Sequence, residues 1–118
     1  MSDLLKYSIY TLLFIVNSFA CFSQSETNIW YFGQRAGLDF NSGTPEPIVN
    51  GQLNTGEGCA SISDGNGDLL FYTDGVTVYN KNHQIMPNGS ELNGDFSSTH
   101  SAIIIPKPNT SQIYYIFT

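Results

Sequence analysis

The sequence predicts an all-β fold, an incomplete β-propeller-like array of antiparallel meanders that begins after a signal peptide. Three observations predict it. After residue 24 no stretch shows helical periodicity, and short aromatic and β-branched runs alternate with clusters of Gly, Asn, Asp, Ser and Pro. Cys59 to Tyr79 reads as three strands joined by tight turns. That unit also echoes itself elsewhere in the chain at a spacing of repeat proteins.

Residues 1–23 read as a secretory signal peptide. Lys6 is the only basic residue before Arg35, and Tyr7–Phe22 is apolar apart from small polar residues. A charged start, an apolar stretch and small residues near its end make an export signal. A membrane span needs about 20 predominantly apolar residues; this run is shorter and is broken by Asn17 and Ser18. No stable membrane span is expected in the mature chain. Cys21 and Ser23 suit cleavage before Gln24. The alternative is lipid modification of Cys21 after Ala20, which would anchor the protein. Cleavage before Gln24 leaves Cys59 as the only cysteine, read as a small buried hydrophobe within a strand.

Residues 24–118 hold the strand candidates Ile29–Phe32, Gly37–Phe40, Cys59–Ser63, Asp68–Thr73, Val76–Tyr79, Ala102–Ile105 and Gln112–Phe117. Asp64-Gly-Asn-Gly-Asp68 joins the third to the fourth. Asp74-Gly75 between alternating strands is a hairpin signal for the next connection. The run from Ala102 to Thr118 echoes Ala60 to Thr73, with Ala60 and Ala102 separated by 42 positions and Thr73 and Thr118 by 45. Upstream, Ile29–Phe32 and Gly37–Phe40 echo Leu69–Tyr72 and Gly75–Val78. A meander recurring every 40–50 residues or so suggests propeller blades, which must stack to cover both apolar faces. About two blades are present, so the expectation is the N-terminal fragment of a longer domain. A seven-stranded sandwich is the competing architecture.

Several segments carry a likeness when taken together and in order. They are Ile29-Trp-Tyr-Phe-Gly33, Gly37–Gly43, Glu57–Asp64, Leu70–Gly75, Tyr79–His83, Met86–Gly89 and Ser97–Ala102. The chain resembles the N-terminal region of large secreted Bacteroidetes proteins. Those proteins end in a gliding-motility-associated, type B sorting domain for type IX secretion. The resemblance implies a propeller-like region of a multi-domain secreted or cell-surface protein, with the secretion machinery as a partner. It also implies a C-terminal signal that does not lie in these residues, without which export would reach the periplasm. The resemblance leads to Gln at position 100, where His100 stands.

Ten acidic against four basic residues give a net charge of −6, which disfavours nucleic acid as a partner. Asp64, Asn66 and Asp68 place oxygen-bearing side chains at alternate positions, a partial calcium pattern. Leu69 and Gly75 stand where the helix-loop-helix calcium loop carries Gly and Glu. A hairpin turn accounts for the same residues, so no metal, cofactor-binding or catalytic residue is assigned. His83 and His100 lack a zinc-ligand spacing with Glu57 or Cys59, and His83 reads as a solvated loop residue. Ser97, Ser98, Ser101 and His100 do not make a hydrolase set, and no Gly-x-Ser-x-Gly elbow exists. No enzyme is therefore expected.

Of Trp30, Tyr31, Phe32, Phe71, Tyr72, Tyr79, Tyr114, Tyr115 and Phe117, half would pack between sheets. The others could form a protein- or carbohydrate-binding face. The expectation is a non-catalytic binding or structural module, with adhesion or a gliding-associated role. One alternative is part of a glycan-acting propeller enzyme, for which Glu57 and Asp74 are the carboxylates to check. Another is a truncated fragment without independent function.

Overall fold

The computed structural model describes Tyr7, residues 25–110 and residues 112–118. The expected signal peptide of residues 1–23, apart from Tyr7, the expected cut before Gln24 and the alternative at Cys21 lie outside the described residues. Strands form where β-branched and aromatic residues run together, and Gly, Asn and Asp end them. A 3-10 turn, Ser25–Thr27, precedes eight strands: β1 Ile29–Tyr31, β2 Gly37–Asp39, β3 Glu46–Ile48, β4 Ala60–Ser63, β5 Leu69–Thr73, β6 Val78–Asn80, β7 Ile103–Pro106 and β8 Tyr114–Phe117. They make three antiparallel sheets in chain order, β1-β2-β3, β4-β5-β6 and β7-β8. Over the described residues from Ser25 onward the fold is all-β, with antiparallel pairing throughout.

Seven of the strands fall where the aromatic and β-branched runs place them. β3 is new. Its centre, Pro47, pairs with Leu38 on the open side of the first sheet. A missing N–H is harmless there, because the outer side of an edge strand needs no ladder donor.

The expected turn at Asp74-Gly75 is also corrected. β5 ends at Thr73 and β6 begins at Val78, so four residues connect them. Asp74 Oδ1 accepts from the Val76 and Thr77 amides, and Thr73 Oγ1 donates to the Thr77 carbonyl. Those bonds hold Val76 and Thr77 in the loop. Beyond β6 the chain doubles back. Asn80 N–H bonds Gln84, Val78 bonds both Met86 and Gly89, and Leu92 N–H reaches Val76. Residues 84–92 thus line β6 as an irregular fourth segment.

The middle sheet has a core on each face. Tyr31, Leu53, Leu69 and Tyr72 pack with Ile29, Ile48, Cys59 and Tyr79 between the first and second sheets. Ile62, Phe71 and Val78 pack with Ile104, Tyr114 and Ile116 between the second and third. Strand alternation sends Tyr72 and Phe71 to opposite faces. A register shift at Ile62/Ser63 opposite Leu69 returns Leu69 to the side of Tyr72. Two cores on opposite faces of one sheet do not make a sandwich about a single core.

The first strands of successive sheets lie side by side, β1 beside β4 and β4 beside β7. The upstream echo matched β1 to β5. In the fold β1 holds the place of β4, the first strand of its sheet. Side chains replace a ladder between β1 and β4. Ser61 Oγ donates to the Ile29 carbonyl at 2.8 Å and accepts from the Tyr31 amide at 3.4 Å. The Cys59 thiol donates to the Tyr31 carbonyl at 3.1 Å. The open edge of β1 is therefore satisfied without a hydrogen-bonded neighbour strand.

Candidate functional site

Asp64–Asp68 closes as a five-residue turn. Asp64 N–H bonds the Asp68 carbonyl, Gly67 N–H bonds the Asp64 carbonyl, and Asp64 Oδ1 accepts from the Asn66 and Asp68 amides. The chain builds the same set of bonds a second time. Asn80 N–H bonds Gln84, His83 N–H bonds Asn80, and Asn80 Oδ1 accepts from Asn82 and Gln84. A neutral amide therefore supports the same geometry as the Asp64 carboxylate, so the loop shape at Asp64, Asn66 and Asp68 requires no cation. Among the described residues no group of three or more His, Cys, Asp or Glu side chains could hold a metal ion. The Asp64 loop instead joins two sheets. Asn41 Nδ2 donates to the Gly67 carbonyl, and Asn41 Oδ1 accepts from Asn28 Nδ2.

The left-handed position of this turn is Gly67 in the first copy, at φ +90°, and His83 in the second, at φ +62°. A side chain there costs strain that glycine avoids. His83 repositions its ring in return. Nδ1 lies 3.0 Å from the Tyr72 hydroxyl, and the ring meets Tyr31 edge-on with centroids 5.7 Å apart. The solvated histidine expected from the Asn-Lys-Asn-His sequence is thus a half-buried one. Its neighbours along the turn are polar, but the turn aims its ring inward.

Tyr72 is the hub of this layer. Its ring stacks on Tyr31 at 4.4 Å and on Tyr79 at 5.4 Å. It is fully buried, and its hydroxyl accepts from the Gln52 amide at 3.1 Å. Burial pushes the Tyr72 phenol up to about 12, against the lowering effect of the Gln52 bond. Burial also raises Tyr31, whose hydroxyl donates to Asn50 Oδ1 at 2.8 Å. Both phenols stay protonated and act as fixed hydrogen-bond partners rather than as acids. The network pins the Asn50–Thr55 connection against the first core.

The two carboxylates relevant to hydrolysis have local roles. Glu57 Oε2 accepts from Thr99 Oγ1 at 3.0 Å, and Asp74 Oδ1 caps the β5–β6 loop. Cys59 is a free, half-buried thiol, raised first by burial and then by the nearby Asp74 charge. Ser98 and Ser101 hold the loop before β7, where Ser101 Oγ donates to the Asp95 and Ser98 carbonyls. No nucleophile–base pair forms among these residues.

The surviving candidates are surfaces. Of the nine strand aromatics, Tyr31, Phe71, Tyr72, Tyr79 and Tyr114 pack between sheets. Trp30, Phe32, Tyr115 and Phe117 are exposed. Trp30 lies on the outer face of the first sheet, its ring 4.9 Å from Phe40 and edge-on to Phe32. Its Nε1 donates to the Thr27 carbonyl at 2.7 Å, which fixes the indole. On the third sheet the cross-strand pairs Ile103–Phe117 and Ile105–Tyr115 share the outer face, each residue 44–56% exposed. Both ends of the stack thus present apolar faces with aromatic groups. Such faces bind flat apolar or sugar surfaces, or further sheets. Alternation along each strand made the partition legible. The order of sheets, which decides which face is covered, left no local signal.

The chain matches no protein-family model, no curated protein and no solved structure. Among the described residues no helix is long and apolar enough to cross a membrane.

Proposed function

We propose that the chain is a non-catalytic binding or structural module of a secreted or cell-surface protein, and that its three sheets belong to a longer propeller-like array. The observation that carries this reading is the serial stack. Each first strand lies beside the next, each sheet covers its neighbour, and an apolar face is left at either end. A stack of this kind gains burial by adding sheets. The resemblance to secreted proteins with a gliding-associated sorting domain supports the same placement and an adhesive role. The fixed indole of Trp30, flanked by Phe32 and Phe40, is the surface offered to a carbohydrate or protein ligand.

A glycan array combined with a hydrolysis assay on the same glycans tests the reading. Retention without turnover, reduced by Trp30→Ala, is the expected result. Turnover that disappears in Glu57→Gln or Asp74→Asn would overturn it in favour of an enzyme.

A further inference from the structure

In an Asn-Gly pair the side-chain carboxamide and the following backbone nitrogen meet with little steric hindrance, because glycine carries no Cβ. The chain holds four such pairs: Asn50-Gly51, Asn66-Gly67, Asn88-Gly89 and Asn93-Gly94. The fold commits the glycine nitrogen in three of them. Gly67 N–H donates to the Asp64 carbonyl at 2.9 Å, Gly89 N–H to the Met86 carbonyl at 2.8 Å and Gly94 N–H to the Gly75 carbonyl at 3.0 Å. Gly51 is buried, yet its N–H has no hydrogen-bond partner among the described residues. A buried donor left unpaired is unfavourable.

The surroundings of Asn50 suit attack by that nitrogen. Asn50 is exposed, and its Oδ1 accepts from the Tyr31 hydroxyl at 2.8 Å. This donor draws electron density from Cγ and faces the oxygen on which negative charge develops during attack. Burial raises the Tyr31 phenol, so it stays protonated and able to donate. The Tyr31 ring also dictates the residue at 51. A Cβ there would stand 2.7 Å from Tyr31 Cδ1 and 3.0 Å from Cε1. The packing that demands glycine at 51 therefore builds the labile pair. All of these contacts lie between β1 and the chain that leads from β3 to β4.

We infer that Asn50-Gly51 is a self-modification site, converted in the folded chain to aspartate and isoaspartate through a cyclic imide, with the Tyr31 phenol as the activating donor. The Gly51 nitrogen gives its proton to solvent hydroxide and bonds to Asn50 Cγ. The Cγ–Nδ2 bond breaks, and ammonia leaves with a proton taken from water. Water then opens the imide. Cleavage of the bond to Cγ gives aspartate; cleavage of the bond to the main-chain carbonyl gives isoaspartate. One ammonia is lost, one water is gained, and nothing is oxidised or reduced. The imide nitrogen carries no hydrogen, so cyclisation also removes the unpaired buried donor. Isoaspartate lengthens the backbone by one carbon at the start of the 50–55 connection. There the Gln52 amide bonds Tyr72 and the Leu53 carbonyl accepts from Arg35.

The test holds the full chain in mildly alkaline heavy-oxygen water, folded in one arm and in urea in the other. Samples taken over days are digested with pepsin in acid and read by mass spectrometry. In the folded chain, label should enter position 50 about tenfold faster than positions 66, 88 and 93, whose glycine nitrogens must first break a hydrogen bond. In urea the four rates should agree to within about threefold, since the fold no longer separates them. Tyr31→Phe keeps the ring over Gly51 and removes the donor, so conversion at 50 should slow by about tenfold. Equal folded-state rates at the four positions, or a slower rate at 50 than at the others, would overturn the inference. Unchanged or faster conversion in Tyr31→Phe would also overturn it, since the phenol would then be idle or a protective clamp. The ranking of the four positions uses the unaltered chain and so decides the matter whether or not the variant folds.

Discussion

Replacing Tyr72 by phenylalanine removes one oxygen from the centre of the first core and leaves the ring stack in place. Two partners lose their contact: the Gln52 amide at 3.1 Å and His83 Nδ1 at 3.0 Å. His83 is half-buried and can turn toward water. Gln52 precedes the fully buried Leu53 and has less freedom. One buried donor left without an acceptor costs about 1–3 kcal/mol, and with His83 partly compensated we expect about 1–2 kcal/mol in urea unfolding. For a domain of this size that lowers the melting temperature by roughly 5–15 °C.

The pH dependence supplies a second signature. The folded-state phenol is raised to about 12 from the usual 10.0. Between those values the folded state holds a proton that the unfolded state has released, so stability falls as pH rises. Wild type should lose stability above pH 10 more steeply than Tyr72→Phe. A variant as stable as wild type at neutral pH, with an identical alkaline profile, would refute the claim that this hydroxyl anchors the 50–55 connection.

The two serines of β4 should behave oppositely. Ser61→Ala leaves the Ile29 carbonyl and Tyr31 amide unpaired at the open edge of β1 and should cost about 1–2 kcal/mol in denaturant. Ser63 is fully buried with no hydrogen-bond partner for its hydroxyl among the described residues. Ser63→Ala should be neutral or stabilising by up to about 1 kcal/mol on the same measurement. Asp64→Asn should change stability by less than about 0.5 kcal/mol, because Asn80 builds the same turn with an amide, whereas Asp64→Ala should cost about 1 kcal/mol. Added calcium should leave both melting curves where they were. The Cys59 thiol, raised by burial, should react with a disulfide reagent at pH 8 about tenfold more slowly in the folded chain than in urea.

Much of the fold was legible because alternation and turn chemistry are local. The meander of β4, β5 and β6 follows from β-branched and aromatic runs punctuated by Asp, Asn and Gly. β3 was hidden because Pro45 and Pro47 argue against a strand, and only its place at a sheet edge makes Pro47 acceptable. The fourth segment along β6 was hidden too. Its Met-Pro-Asn-Gly turn at 86–89 breaks any alternation. His83 misled for a related reason: its sequence neighbours are polar, but the duplicated turn puts it at a left-handed position that points the ring at Tyr72. The outer faces of the first and third sheets depended on the stacking order, a long-range property with no sequence period of its own.

The serial stack is tested most directly by side-chain distances in solution, through nuclear Overhauser contacts in the labelled chain. The account expects Tyr31 to contact Tyr72 and Phe71 to contact Tyr114. It also expects Trp30, Ile105 and Tyr115 to be bleached by a soluble paramagnetic probe. Contacts between Trp30 and Tyr115 within one chain, with both protected from the probe, would mean two sheets closing on a single core and would contradict it.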